Sequence, residues 1–379
     1  MRQELSIRRG VTRQTDPERA AQDLHAALAQ PDITLAVFYC APSYDLPALA
    51  AALKAQFGTT TLIGCTTAGE ITPEGYLQNA LTGFSVASDD FHVAVSRISL
   101  DPFDATATEQ GADRLLRDLE DEHGTPPSPG DTFGFLLVDG LAMLEERLVS
   151  VIYRHLRGIE LVGGSAADST DFVATHIYHD GAFHRNIALL TLVRTSLPFK
   201  VFHTQHFENT EQRMVVTRAD PAARRVYEIN GLPAAREFAR LIGLDVQELT
   251  PFIFATHPVV VRVGGRYYVR SIAYVHTDGS LQFFCAIANG IVLTVAKGVD
   301  MVDNLREAFE EVRASIGPPQ LVLGCDCILR RLEVDRDGLG EAISDIFIEN
   351  NVIGFATYGE QYNAMHVNQT FTGVAIGRG

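Results

Sequence analysis

Three histidines stand in or beside aromatic-rich stretches: His184 next to Phe183, and His203 and His206 among Phe199, Phe202 and Phe207. A neutral imidazole can give one nitrogen to a metal while a fixed partner holds the other. Phenyl rings at this density could cover the face of a flat macrocycle. A histidine near a strand end more often works as a surface or capping residue, and that plainer role stands beside the ligand role for each of the three. His203 and His206 are three positions apart, so on one strand they face opposite ways and only one enters a given pocket.

The five cysteines are Cys40, Cys65, Cys285, Cys325 and Cys327, an odd number that suits free thiols in a reducing compartment. Cys325-Asp326-Cys327 has a spacing that could serve soft-metal or thiol chemistry. No second Cys or His pair completes a tetrahedral set, so a buried strand end is the simpler reading. Cys65 sits at a strand–turn junction and could be a nucleophile, but the sequence assigns it neither a histidine nor an acid, and catalysis is not expected. Glu70, Asp168 and Glu360 end three similar glycine-containing turns, as pocket acids or, more commonly, as turn caps. Gly64, Gly69, Gly163, Gly164, Gly354 and Gly359 do not follow dinucleotide or P-loop spacing. Met301, Met365 and Tyr362 are further candidates for lining a pocket.

These residues are carried by a repeated plan. The first copy reads ITLAVFYCA as a buried strand, then a helix capped by Asp45 with Leu49, Leu53 and Phe57 on one face, then TTTLIG and its turn. The second runs FGFLLVDG, EERLVSVIYRHLRG, IELVGGSAADS, and the third LVLGCDC, GEAISDIFIEN, NVIGFATYGEQY. Between the second and third lie a helix, NGLPAAREFARLIG, and a strand meander with turns at Gly264-Gly265 and Asp278-Gly279. The expected fold is α/β of a mixed α+β kind: two domains of repeated strand–helix–strand units forming mixed sheets flanked by helices. The expected limits are an N-terminal helix and arm over 1–32, one domain over 33–230 and a second over 231–379.

Composition narrows the function. The chain has 379 residues, 46% hydrophobic and 21% charged, enough to fold throughout. Its net charge of −16 disfavours nucleic acid and anionic membrane surfaces. Arg8-Arg9, Arg224-Arg225 and Arg330-Arg331 read as isolated, solvated pairs. The first residues hold no apolar signal core and no run approaches a membrane span, so a cytoplasmic location is expected.

The segments LIGCTTAGEITPEGY, LVGGSAADS, NGLPAAREFARLIG and VIGFATYGEQY followed by FTGVAIG resemble the FIST family of sensory proteins, over nearly the whole chain. That resemblance implies FIST N and FIST C domains, a cytoplasmic sensor of small ligands rather than an enzyme, and signalling partners. The stretch HDGAFHRNIALL with FKVFHTQHFENTEQRMVVTRADP is similar to the NosP group within that family. The group resemblance implies a b-type haem that binds nitric oxide, with His206 as leading axial ligand, His203 and His184 following, and Phe207 and Phe202 against the ring. It further implies a histidine kinase or a diguanylate cyclase or phosphodiesterase as partner. A FIST sensor of an amino acid or other metabolite without haem is the alternative, and a cysteine-dependent enzyme the remote one. A homodimer is left open.

Overall fold

The computed structural model describes residues 4–263 and 265–378; Gly264 of the first meander turn lies outside them. The three sequence copies become three units of one topology. Each begins with an edge strand: Ser6–Thr12, Phe91–Ser99 and Phe199–Thr204. A helix follows: Pro17–Leu28, Ala105–His123 and Met301–Ile316. The central strand comes next: Leu35–Cys40, Thr132–Val138 and Leu321–Cys327.

The second helix of the first two units is Leu46–Phe57 and Glu145–His155; the third unit has Ile328–Asp337 and Gly340–Glu349. The next strand, Leu62–Thr66, Glu160–Ser165 or Val352–Thr357, lies parallel to the central one. A short hairpin then leads to the last strand, Leu81–Ala87, Ile187–Thr195 or Phe371–Ile376, antiparallel to the central strand.

The hairpins do not stay with their own sheets. The first unit's hairpin (70–77) pairs with the third unit's strand Val352–Thr357. The second unit's hairpin (177–184) pairs with Leu62–Thr66 of the first. The third unit's hairpin (360–367) pairs with Glu160–Ser165 of the second. Three six-stranded sheets of identical order result, each completed by a neighbour in cyclic sequence. A fourth, eight-stranded sheet holds the meander. It is inserted between the third unit's edge strand and its helix, so the third unit begins N-terminal to Gly231.

Local sequence explains the elements. Asp16, Asp45, Asp104 and Asp300 each cap a helix by accepting a backbone N–H. The central strands are buried on both faces and hence almost wholly apolar. Their inner faces meet in one core that includes Val37, Tyr39, Cys65, Phe135, Leu137, Cys325 and Phe355, with Tyr39 stacked on Phe355 at 4.7 Å. Their outer faces pack against the helices of each unit. Parallel neighbours approach so closely that a Cβ on Gly354 would lie 1.9 Å from Gly324 O, and one on Gly163 2.0 Å from Leu136 O. Only glycine fits there.

Two of the three arginine pairs depart from the solvated reading. Arg330 is fully buried and Arg224 is 5% exposed, because each has carboxylates waiting beneath the surface. Arg8 is exposed as expected.

Candidate functional site

At the meeting point of the units, the turns that follow the parallel strands are tied in a ring of backbone bonds. The Ala68 N–H donates to Ala356 O, the Ala167 N–H to Thr66 O, and the Tyr358 N–H to Ser165 O, at 3.0, 3.0 and 3.2 Å. Each unit therefore donates to the neighbour whose sheet its hairpin completes.

The turn acids take two forms. Glu70 is fully buried and accepts from the Thr67 hydroxyl (2.6 Å) and the Ala80 N–H (3.1 Å). Glu360 accepts from the Thr357 hydroxyl, from the Thr370 hydroxyl (2.7 Å) and from the Thr370 N–H (3.3 Å). Burial pushes Glu70 up to about 7 and Glu360 up to about 8, against those donors. Asp168 is instead a loop clamp: it accepts the N–H groups of Phe172, Val173 and Ala174 and the Tyr358 hydroxyl. All three acids hold their turns, the commoner role expected for them.

Beside the ring lies a cluster of buried polar side chains from three sources. Glu145 and Glu146 open the second unit's helix. Gln361 and His366 are cross-strand partners in the third unit's hairpin, so their side chains share one face, and Asn368 follows them. Arg224 comes from the turn before strand Arg225–Ile229 of the fourth sheet, and Arg270 from the meander. Arg224 donates to Glu145 and to Glu146 (2.8 Å), and Glu146 also accepts the Ala286 N–H (2.7 Å). Burial opposes the charge on Glu146, but the Arg224 guanidinium and that N–H outweigh it and leave its pKa below the usual carboxylate value.

Gln361 Nε2 donates to Ser165 Oγ (3.0 Å), and Arg270 Nη1 to His366 O (2.9 Å). Arg270, 9% exposed, has no carboxylate within ion-pair distance among the described residues. His366 Nε2, Gln361 Oε1 and both Asn368 side-chain atoms are buried with no hydrogen-bond partner among the described residues. Burial drives the His366 imidazole toward its neutral form.

A second buried network surrounds His206. Its Nδ1 accepts from Arg330 Nη1 (2.8 Å) and its Nε2 faces Glu333 Oε2 (3.0 Å). Arg330 Nε also donates to Asp326 (2.7 Å). Burial lowers the His206 pKa, with the Glu333 bond opposing.

Residues 34–232 match the FIST N domain and residues 234–363 the FIST C domain. The chain belongs to the FIST family. FIST domains are sensory, non-enzymatic domains associated with small-ligand sensing and signal transduction. The chain is also similar to an uncharacterized protein of Methanocaldococcus jannaschii, 24% identical over 362 residues, covering 85% of this chain and 69% of that protein. No helix among the described residues is long and apolar enough to cross a membrane.

In this FIST protein the five residues expected around haem do not converge. His206 stacks on Phe207 at 4.1 Å and is fully buried, with both ring nitrogens engaged. His203 lies on the Tyr362 ring at 4.1 Å. Phe202 packs in the third unit's core with Phe309 and Phe371. His184 is on another sheet, its Nε2 against His179 O (3.3 Å). A cleft of about 520 Å³ near Lys54, Phe57, Tyr178 and Asp180 includes none of the three. As arranged, the residues do not fit a haem, since neither His206 nitrogen can reach iron without leaving a buried partner.

All five cysteines are buried free thiols, and burial pushes each well above the ordinary thiol value, Cys285 to about 12. Cys65 therefore lacks the thiolate character a nucleophile needs. The polar cluster itself was hidden from sequence reasoning, because its members are dispersed over 145–368. The one local signal, the acidic pair Glu145-Glu146 opening a helix, is common on any surface.

Proposed function

We propose that this FIST protein senses a small polar ligand carrying an anionic group, held among Arg270, His366, Gln361 and Asn368. The observation that supports the reading is Asn368: fully buried, with neither side-chain oxygen nor nitrogen partnered among the described residues. An unmet buried polar group costs roughly 1–3 kcal/mol, so such a side chain persists where something else satisfies it. Arg270 offers a buried cation without a carboxylate, and neutral His366 offers Nε2. A carboxylate-bearing metabolite such as an amino acid brings acceptors for Arg270 and for Asn368 Nδ2. Its donor groups suit Asn368 Oδ1 and Gln361 Oε1.

Because these side chains come from both the meander and the repeated units, a ligand that bridges them shifts how the two pack. That shift is the signal passed to a partner.

Thermal-shift screening of amino acids and small carboxylates checks this. A hit should raise the melting temperature by mass action, and Arg270→Ala and Asn368→Ala should each abolish the rise. A rise that survives both variants rejects the site. Haem reconstitution forms the second arm: a Soret band that disappears in His206→Ala would favour the haem reading instead.

A further inference from the structure

A separate constellation lies on the edge of the second sheet. His92 stands near the start of strand Phe91–Ser99, on the face it shares with Ala94 and Ile98, and Glu122 and His123 close helix Ala105–His123, which packs on that face. Gly124, in the left-handed conformation at φ +69°, ends the helix there and fixes where His123 emerges. His92 Nδ1 lies 2.9 Å from Glu122 Oε1, and the two imidazole rings meet edge to face with centroids 4.0 Å apart.

One ligand atom from each of the three residues lies within 4.8 Å of the others. His123 Nε2 is buried and has no hydrogen-bond partner among the described residues.

The surroundings suit a cation. Both histidines line a cleft of about 230 Å³ with Asp89, Asp90, Asp131 and Arg194. Arg194 pairs with Asp131 at 2.8 Å and donates to the Thr125 carbonyl and hydroxyl, so its charge is turned away from the histidines. Two imidazoles and one carboxylate make the ligand set of an open zinc-class site, with water completing the coordination. Donor atoms at this spacing need to close by only about an ångström or so to reach metal–ligand distances near 2.1 Å.

We propose that His92, Glu122 and His123 bind a divalent transition-metal ion of the zinc class. The ion ties the second unit's edge strand to the end of its helix. Nothing in this site overlaps the cluster around Asn368.

The test uses the full chain, stripped with chelator and desalted, then titrated with zinc chloride and, separately, cobalt chloride. The expected result is one equivalent of zinc bound at micromolar concentration or below, and visible d–d absorption with cobalt. His92→Ala and His123→Ala should each weaken zinc binding about 100-fold or more, beyond the loss typical of outer-shell changes. Glu122→Gln on an exposed side chain keeps the fold and should weaken it about 10-fold. His25→Ala, whose ring packs on Phe57, should leave binding unchanged. Metal-free circular-dichroism melts of each variant separate lost binding from lost fold. Absence of a cobalt spectrum in the wild-type chain, or zinc affinity that survives His123→Ala and Glu122→Gln, overturns the proposal.

Discussion

Glu70 and Glu360 make the same bonds in two different units. Each accepts from a threonine hydroxyl three residues before it, Thr67 or Thr357, and from a backbone N–H ten residues after it, at Ala80 or Thr370. The first and third turns are thus copies down to single hydrogen bonds. The second unit replaces this arrangement with Asp168 and its loop.

The pair makes stability depend on pH. Both carboxyls are raised by burial above the ordinary glutamate value of 4.5, to about 7 and about 8. A carboxyl with a raised folded-state pKa leaves stability whole below its unfolded value and removes it as pH climbs through the folded value. The loss therefore runs from about pH 4.5 to about pH 8. Glu70→Gln keeps an oxygen for the Ala80 N–H, while its amide can donate to Thr67 Oγ1. Chemical denaturation at intervals from pH 5 to pH 9 should show Glu70→Gln gaining on the wild type by on the order of 2–3 kcal/mol as pH rises. A constant difference across that range would refute the assignment.

His206 is structural in this arrangement. His206→Ala removes the acceptor of one Arg330 nitrogen and the partner of Glu333 inside the protein. The expected cost is about 1–3 kcal/mol. Arg330→Ala should cost more, about 3–5 kcal/mol, because Asp326 is then left buried and uncompensated. Urea denaturation midpoints for the two variants give the ordering directly, and a His206→Ala protein as stable as the wild type contradicts it.

Asn368 should show opposing effects on stability and binding. With both polar atoms unpartnered, replacement by the apolar, similarly sized leucine removes a desolvation cost, and the ligand-free protein should gain about 1 kcal/mol. The same change should erase any ligand-induced rise in melting temperature. A destabilised Asn368→Leu protein would mean that the side chain is satisfied within the chain.

Gly354→Ala examines the closeness of the parallel strands. Its Cβ would fall against the Gly324 carbonyl, which belongs to a buried central strand and cannot move away. A loss of at least about 3 kcal/mol, or no folded protein at all, is expected in thermal melts. An unaffected melting temperature would disprove this register.

The amino-acid sequence by itself determined the repeated units, the cap at Asp45, the buried central strands and the family, because those features are written in local periodicity and in residues a few positions apart. The resemblance of IGCTTAGE to VGGSAADS and VIGFATYGE already placed the three turns in register. Local signals were weaker for helix Ile328–Asp337, where ILRRLEVDRD is largely charged and Cys327 offers no side-chain cap. That helix carries Arg330, and its burial beside Asp326 is what turns a pair read as solvated into part of a core network.

Only the tertiary structure decided which sheet each hairpin joins. A hairpin's own residues specify its turn, while its partner strand is set by packing among units far apart in the chain. The same holds for Asn368 and Arg270. Nothing near either residue in sequence shows that its polar atoms end up buried and short of partners, since burial depends on what the fold lays over them.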